Sequence, residues 1–222
     1  TYTIHNSGVV HGVTKLESGV RYGLFFCDTY NKKLEYLIEP VLRQFLFFKK
    51  SLKILEDLSD LELQNFVKEY KKLLDSTDKQ KLELELSPEL EIIKKTHMLH
   101  PYKYQNNNMD FDIVKAVRRQ EEFMKKILKL ESKTANRETI SKAIQEYNKF
   151  LELFKYGNKE KLAPELLVDL IWHTHQQFPN KYKKECKSIA SIFLDHDDSV
   201  DEIIIQKAII KRINLEKQKI LE

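Results

Sequence analysis

Two kinds of hydrophobic spacing divide the chain. In residues 1–27, short β-branched and aromatic runs, Tyr2-Thr3-Ile4, Val9-Val10 and Val20 to Phe26, are separated by Asn6-Ser7-Gly8 and Glu17-Ser18-Gly19. That is a strand–turn–strand pattern. From Asn31 on the spacing is three and four. Leu34, Leu37, Ile38, Val41, Leu42, Phe45, Phe48, Leu52 and Leu55 lie on one helical face, with Pro40 placed to kink it. Further helices are expected over Asp60 to Leu74, from Ser87-Pro88 onward, from Asp110 or Asp112 to about Leu130, and from Asn136 or Thr139 to Phe154. A last set runs from Leu162 to about Gln177, from Pro179, and from Val200 to Leu221. Pro88 and Pro179 fit first turns, and Gly157 fits a helix end. The predicted fold is a mainly α-helical bundle with a small N-terminal antiparallel β element, the end of a double-stranded β-helix. Its domains would be residues 1–30 and 31–222.

One helical stretch occurs twice. Asp169-Leu-Ile-Trp172-His173-Thr174-His175 leads to Pro179 and Tyr182, and Glu91 to Thr96-His97 leads to Pro101 and Tyr104. His97 and His175 stand 78 residues apart, and Pro101/Pro179 and Tyr104/Tyr182 keep that offset. A gapless match at one offset points to a duplicated helix–Pro corner–helix unit. His173 and His175, two apart on a helix, point about 200° from each other, so an unbroken helix does not aim both at one ion. Asp169 and His173, four apart, can touch. Two roles stay open. Either Asp169, Trp172 and the corner His are structural, or His173, His175 and His196, with nearby Asp, hold a metal ion.

Asp169, Trp172, His173, Thr174, His175, Gln176, Pro179 and Tyr182 stand as D-x-x-W-H-T-H-Q-x-x-P-x-x-Y, with Asp195-His196-Asp197-Asp198 after them. In this the chain resembles the GRDP-like family, the glycine-rich-domain-containing proteins, over roughly residues 87–210. The resemblance implies a helical domain and no particular reaction. The glycine-rich tail is absent; the chain has 5 Gly.

His11, Ser18-Gly19, Arg21 and Leu24 resemble the closing strands of a prolyl-hydroxylase-like iron(II)- and 2-oxoglutarate-dependent oxygenase. The resemblance implies iron at His11 and the 2-oxoglutarate carboxylate on Arg21, a guanidinium fork suited to it. The family's upstream H-x-D has no counterpart in the chain, so turnover by this chain alone is not expected. The function read from all this is the C-terminal part of such an oxygenase joined to a helical interaction or regulatory module. The alternatives are a helical domain that is itself a metal-dependent enzyme, and a purely structural or protein-interaction domain.

Composition changes little. A chain of 222 residues with 41% hydrophobic residues can bury a core. A formal net charge of +4, with 32% of residues charged and the two signs interspersed, does not point to nucleic acid. Cys27 and Cys186 form no framework and suit a reducing, cytoplasmic setting. No run suits a bilayer. A protein partner is expected. The start at Thr1 suggests a fragment or processed product.

Overall fold

The computed structural model describes residues 32–76, 86–156, 162–196 and 198–221. The chain divides at Lys32/Lys33, and the unit Lys33–Glu222 is the one described below. The described elements are two short 3-10 helices, Lys32–Leu37 and Leu153–Tyr156, and ten α-helices. These are α1 (Ile38–Asp57), α2 (Asp60–Asp75), α3 (Pro88–Met98), α4 (Pro101–Gln105) and α5 (Ile113–Leu128). Then come α6 (Glu131–Thr134), α7 (Arg137–Glu152), α8 (Leu166–Gln176), α9 (Pro179–Ile189) and α10 (Glu202–Leu221). No strand occurs among the described residues. The expected mixed architecture is therefore corrected to a helical one: from residue 32 on, hydrophobic spacing is helical throughout, which leaves no face for sheet pairing. The β element was placed on residues 1–27, which lie outside the described residues.

Local chemistry sets the helix ends. Ser59 and Glu62 form a capping box, with the Ser59 hydroxyl accepting from Glu62 N–H and the Ser59 N–H donating to the Glu62 carboxylate. Ser87 caps α3 ahead of Pro88, Asp112 caps α5 through Lys115 N–H, and Asn136 caps α7 through Thr139 N–H. Pro40 falls in the first turn of α1, which runs on unbroken to Asp57. A helix lacks intrahelical acceptors for its first N–H groups, so Pro costs little there. The helix α8 starts at Leu166 and α10 at Glu202, each later than the sequence spacing predicted.

The duplication extends beyond the corner. The helix α2 packs on α3 as α7 packs on α8; α3 packs on α5 as α8 packs on α1; α2 packs on α5 as α7 packs on α1. The arrangement is a pseudo-twofold pair of units in which each long helix, α1 or α5, covers the other unit's corner. Each unit has its own core. One gathers Leu55, Leu63, Val67, Tyr70, Ile92, Ile93 and Val117. The other gathers Phe45, Ile127, Ile144, Tyr147, Phe150, Ile171, Trp172 and Tyr182. The C-terminal helix is held by Arg212, whose Nε donates to Ala163 O at 3.2 Å. It leaves Ile203, Ile204, Ile205 and Ile210 exposed. No described helix is long and apolar enough to cross a membrane.

Candidate metal centre

The two corners are built alike. Thr96 Oγ1 donates to Ile92 O at 2.9 Å and Thr174 Oγ1 to Leu170 O at 2.8 Å. The residues before the two prolines, His100 and Phe178, take φ −114°, ψ 77° and φ −117°, ψ 69°, both outside the helical region that Pro disfavours for its predecessor. The imidazole of His97 lies edge-on to Tyr104 at 5.1 Å, and that of His175 edge-on to Tyr182 at 4.9 Å.

Both corner His sit among polar partners, His175 Nε2 at ion-pair distance from Glu185 without hydrogen-bond alignment. His97 Nε2 lies 3.1 Å from Asn108 O and Nδ1 lies 3.2 Å from the Tyr70 hydroxyl. A carbonyl only accepts, so Nε2 carries the proton and Nδ1 accepts from Tyr70. His175 repeats this: Tyr147 OH lies 3.0 Å from Nδ1, and the Glu185 carboxylate faces Nε2 at 2.8 Å. Tyr36 OH donates to the same carboxylate at 2.9 Å. Burial lowers the pKa of His97 to about 4 and lowers that of His175, the latter opposed by Glu185. Neither ring has a lone pair to give. His175 was named with His173 and His196 as a metal ligand; the structure does not bring it to those two, and its ring lies against Tyr147 and Glu185 instead.

His173 and His196 do come together. Their Nε2 atoms lie 3.2 Å apart, and Asp169 Oδ1 lies 3.5 Å from His173 Nε2. Ligand atoms of all three fall within 4.8 Å of one another. His196 Nδ1 lies 3.0 Å from Leu99 O, so Nδ1 carries the proton and the Nε2 lone pair faces His173. The His173 ring lies 4.5 Å from Phe123 and that of His196 4.9 Å from Trp172. Trp172, 6% exposed, donates through Nε1 to Tyr182 OH at 2.8 Å, and that hydroxyl donates to Leu194 O at 3.0 Å. The indole thus fixes the backbone two residues before His196. Burial, then the neighbouring His196 and His100, hold the His173 pKa well below its usual value. Burial and then Asp198 push the Asp169 carboxyl up to about 7.

A model of one family, described as glycine-rich domain-containing protein-like (GRDP-like), matches residues 68–185, more than half of the chain. The chain belongs to the GRDP-like family. Two curated relatives share the resemblance. Glycine-rich domain-containing protein 1 of Arabidopsis thaliana is 33% identical over 93 residues, 40% of this chain and 11% of the relative. Glycine-rich domain-containing protein 2 of the same plant is 33% identical over 94 residues, 40% of this chain and 12% of the relative. The chain therefore spans about a tenth of the length of the curated relatives it matches. No solved structure matches it. The GRDP-like match takes in Asp169 and His173 and stops short of His196. It also leaves out His11 and Arg21, which lie outside the described residues.

The acidic residues around His196 were singled out in this GRDP-like domain, but the contacts they make were not. Asp198 accepts from Arg119 Nη2 at 2.7 Å and from Gln120 Nε2 at 3.2 Å, and His100 Nε2 stops 3.6 Å from it. Asp195 Oδ1 accepts from Tyr102 N–H at 3.3 Å. The segment after α9 is thereby stitched to the first unit and to α5. Tyr70 and Tyr147 were missed as well. They stand 27 and 28 residues before their His, one residue off a strict repeat, and a search tolerant of that slip would have paired them.

Proposed function

We propose that this GRDP-like domain is a metal-binding helical module in which Asp169, His173 and His196 hold one divalent transition ion. The approach of the two Nε2 atoms, 3.2 Å, carries the reading. Four-coordinate zinc with ligand bonds of about 2.0–2.1 Å sets its ligand atoms roughly 3.3 Å apart. Metal-bound His commonly donates its other N–H to a carbonyl, as His196 does to Leu99. The ligands join α8 to the segment after α9. An ion there ties the second corner to the strap that crosses onto the first. Its work is to organise the domain, and any metal chemistry would centre on two His and one Asp rather than on three His. The oxygenase reading of residues 1–27, with iron at His11 and 2-oxoglutarate at Arg21, is no part of this proposal, since neither the family match nor the relatives support it.

The test is zinc binding by the whole chain after chelator treatment. One equivalent is expected, with a matching rise in thermal stability by mass action. Asp169→Asn and His173→Ala should lose it. His175→Gln, in the separate cage, should keep it. Equal zinc uptake by wild type and His173→Ala would reject the reading, leaving a His–His hydrogen bond.

A further inference from the structure

Resting on the metal reading above, we propose that the ion keeps one exchangeable position and that this position takes a small monoanionic oxygen ligand, a carboxylate, on the side of Arg119 and His100. Four observations meet here. Among the described residues, three ligand groups gather at the cluster. Sites with three protein ligands leave zinc a fourth position for water or another ligand.

Asp169 is the least covered member of the cluster. The Asp169 side chain keeps 26% of its surface exposed, while that of His173 keeps 6%. A ligand thus has a way in past the carboxylate.

Two buried nitrogens beside the cluster have no hydrogen-bond partner: His100 Nε2 and Arg119 Nε. His100 is itself 6% exposed. Both side chains lean on Asp198, Arg119 through Nη2 at 2.7 Å and His100 at 3.6 Å. Each retains a nitrogen that the protein leaves unsatisfied. Buried polar groups in that condition are costly, and an incoming oxygen would satisfy them.

The charges point the same way. A divalent ion held by Asp169 alone among anionic ligands keeps one positive charge, since Asp198 is already paired with Arg119 at 2.7 Å. A buried net charge is expensive, and a monoanion cancels it. A carboxylate can place one oxygen on the ion and offer the other to the guanidinium, the geometry an Arg fork suits.

Cobalt(II) reads this directly, because its visible bands change when a ligand is exchanged. The whole chain is stripped of metal, loaded with Co²⁺ and titrated with acetate at constant ionic strength, with chloride as the control. A saturable band shift with acetate and none with chloride is expected. Arg119→Gln should retain the Co²⁺ bands and weaken acetate by roughly tenfold or more, the loss of about 1.4 kcal/mol. His100→Gln serves as the second variant should the first not fold. Bands that ignore acetate, or that shift equally in both variants, overturn this proposal and leave the metal reading standing. Absence of Co²⁺ bands in wild type overturns the metal reading itself.

Discussion

The first and second units share a backbone and differ in what they carry on it. Thr96/Thr174, His97/His175, Pro101/Pro179 and Tyr104/Tyr182 are identical pairs, and they make the hydrogen bonds and ring contacts that shape the corner. The differing positions lie on the same helices, one turn earlier. Glu91 and Lys95 stand where Asp169 and His173 stand, and Lys94 where Trp172 stands. In the first unit Glu91 and Lys95 form an ion pair at 3.0 Å, and Lys95 Nζ lies 3.4 Å above the Phe47 ring. In the second, His173 lies against Phe123, on α5 as Phe47 is on α1. One scaffold thus holds an ordinary charged face in one copy and an Asp–His cluster in the other. Conservation between copies marks the architecture, and divergence between them marks the site.

The largest expected effect tests whether the indole does for the second unit what no residue does for the first. Trp172 is buried against Phe150, with ring centroids 5.4 Å apart, and bonded to Tyr182. Trp172→Ala should cost about 3–5 kcal/mol, the range for a large core truncation. Lys94→Ala should stay within about 0.5 kcal/mol, as for most surface changes. Urea unfolding of both variants decides it. Equal losses would mean that the second unit does not depend on its indole.

How much of this was legible follows from the same contrast. The corner was readable because a Pro, a Tyr and a Thr-His pair repeat at one offset, and each has a local geometric meaning. The two His rings at 173 and 175 were read as pointing apart, from helical period alone, and they do. The meeting of His173 with His196 was not readable. It depends on Tyr182 and Leu99 holding the strap after α9, and no spacing rule places a strap. His175 looked like a ligand because it stands two residues from His173. Its cage comes from Tyr147, Glu185 and Tyr36, on three other elements. Helix starts at Leu166 and Glu202 were placed early because apolar residues at 162 and 200 extend the pattern. Yet Glu165, the N-cap residue, has extended ψ of 157°.

The second prediction separates the two caged His by pH. Folded His97 has a pKa of about 4, against about 6.5 in an unfolded chain. Above pH 6.5 both states hold the neutral ring, and its contribution is constant. As pH falls from 6.5 toward 4, the unfolded chain takes up a proton that the folded state refuses. Stability therefore drops, by about 1.4 kcal/mol per pH unit and about 3 kcal/mol in all. His97→Gln should flatten that part of the stability profile. His175→Gln should flatten it less, because Glu185 opposes the burial that lowers the His175 pKa. The measurement is urea unfolding from pH 7 to 4.5, and a larger change in slope for His175→Gln would reverse the assignment.

The smallest effect asks what the second unit has that cannot be copied by substitution. Glu91→Asp with Lys95→His writes the Asp169–His173 pair into the first unit at the same helical spacing. The imidazole has a ring to lie against, since Phe47 already receives Lys95. The ion pair it replaces is partly exposed, with 24% of the Lys95 side chain and 46% of Glu91 open to solvent, so its loss should cost no more than about 1 kcal/mol. What is missing is the third ligand. In the second unit the chain runs through α9 and returns His196 on a strap. In the first, α4 is five residues long and the chain turns by Asn106–Asn108 into α5, without a returning strap like the one that carries His196. The double variant, made on an Asp169→Asn background to silence the proposed centre, should bind no zinc and unfold near the denaturant midpoint of that background. Uptake of one equivalent would show that an acid–imidazole pair on this helix suffices, and would remove His196 from the centre.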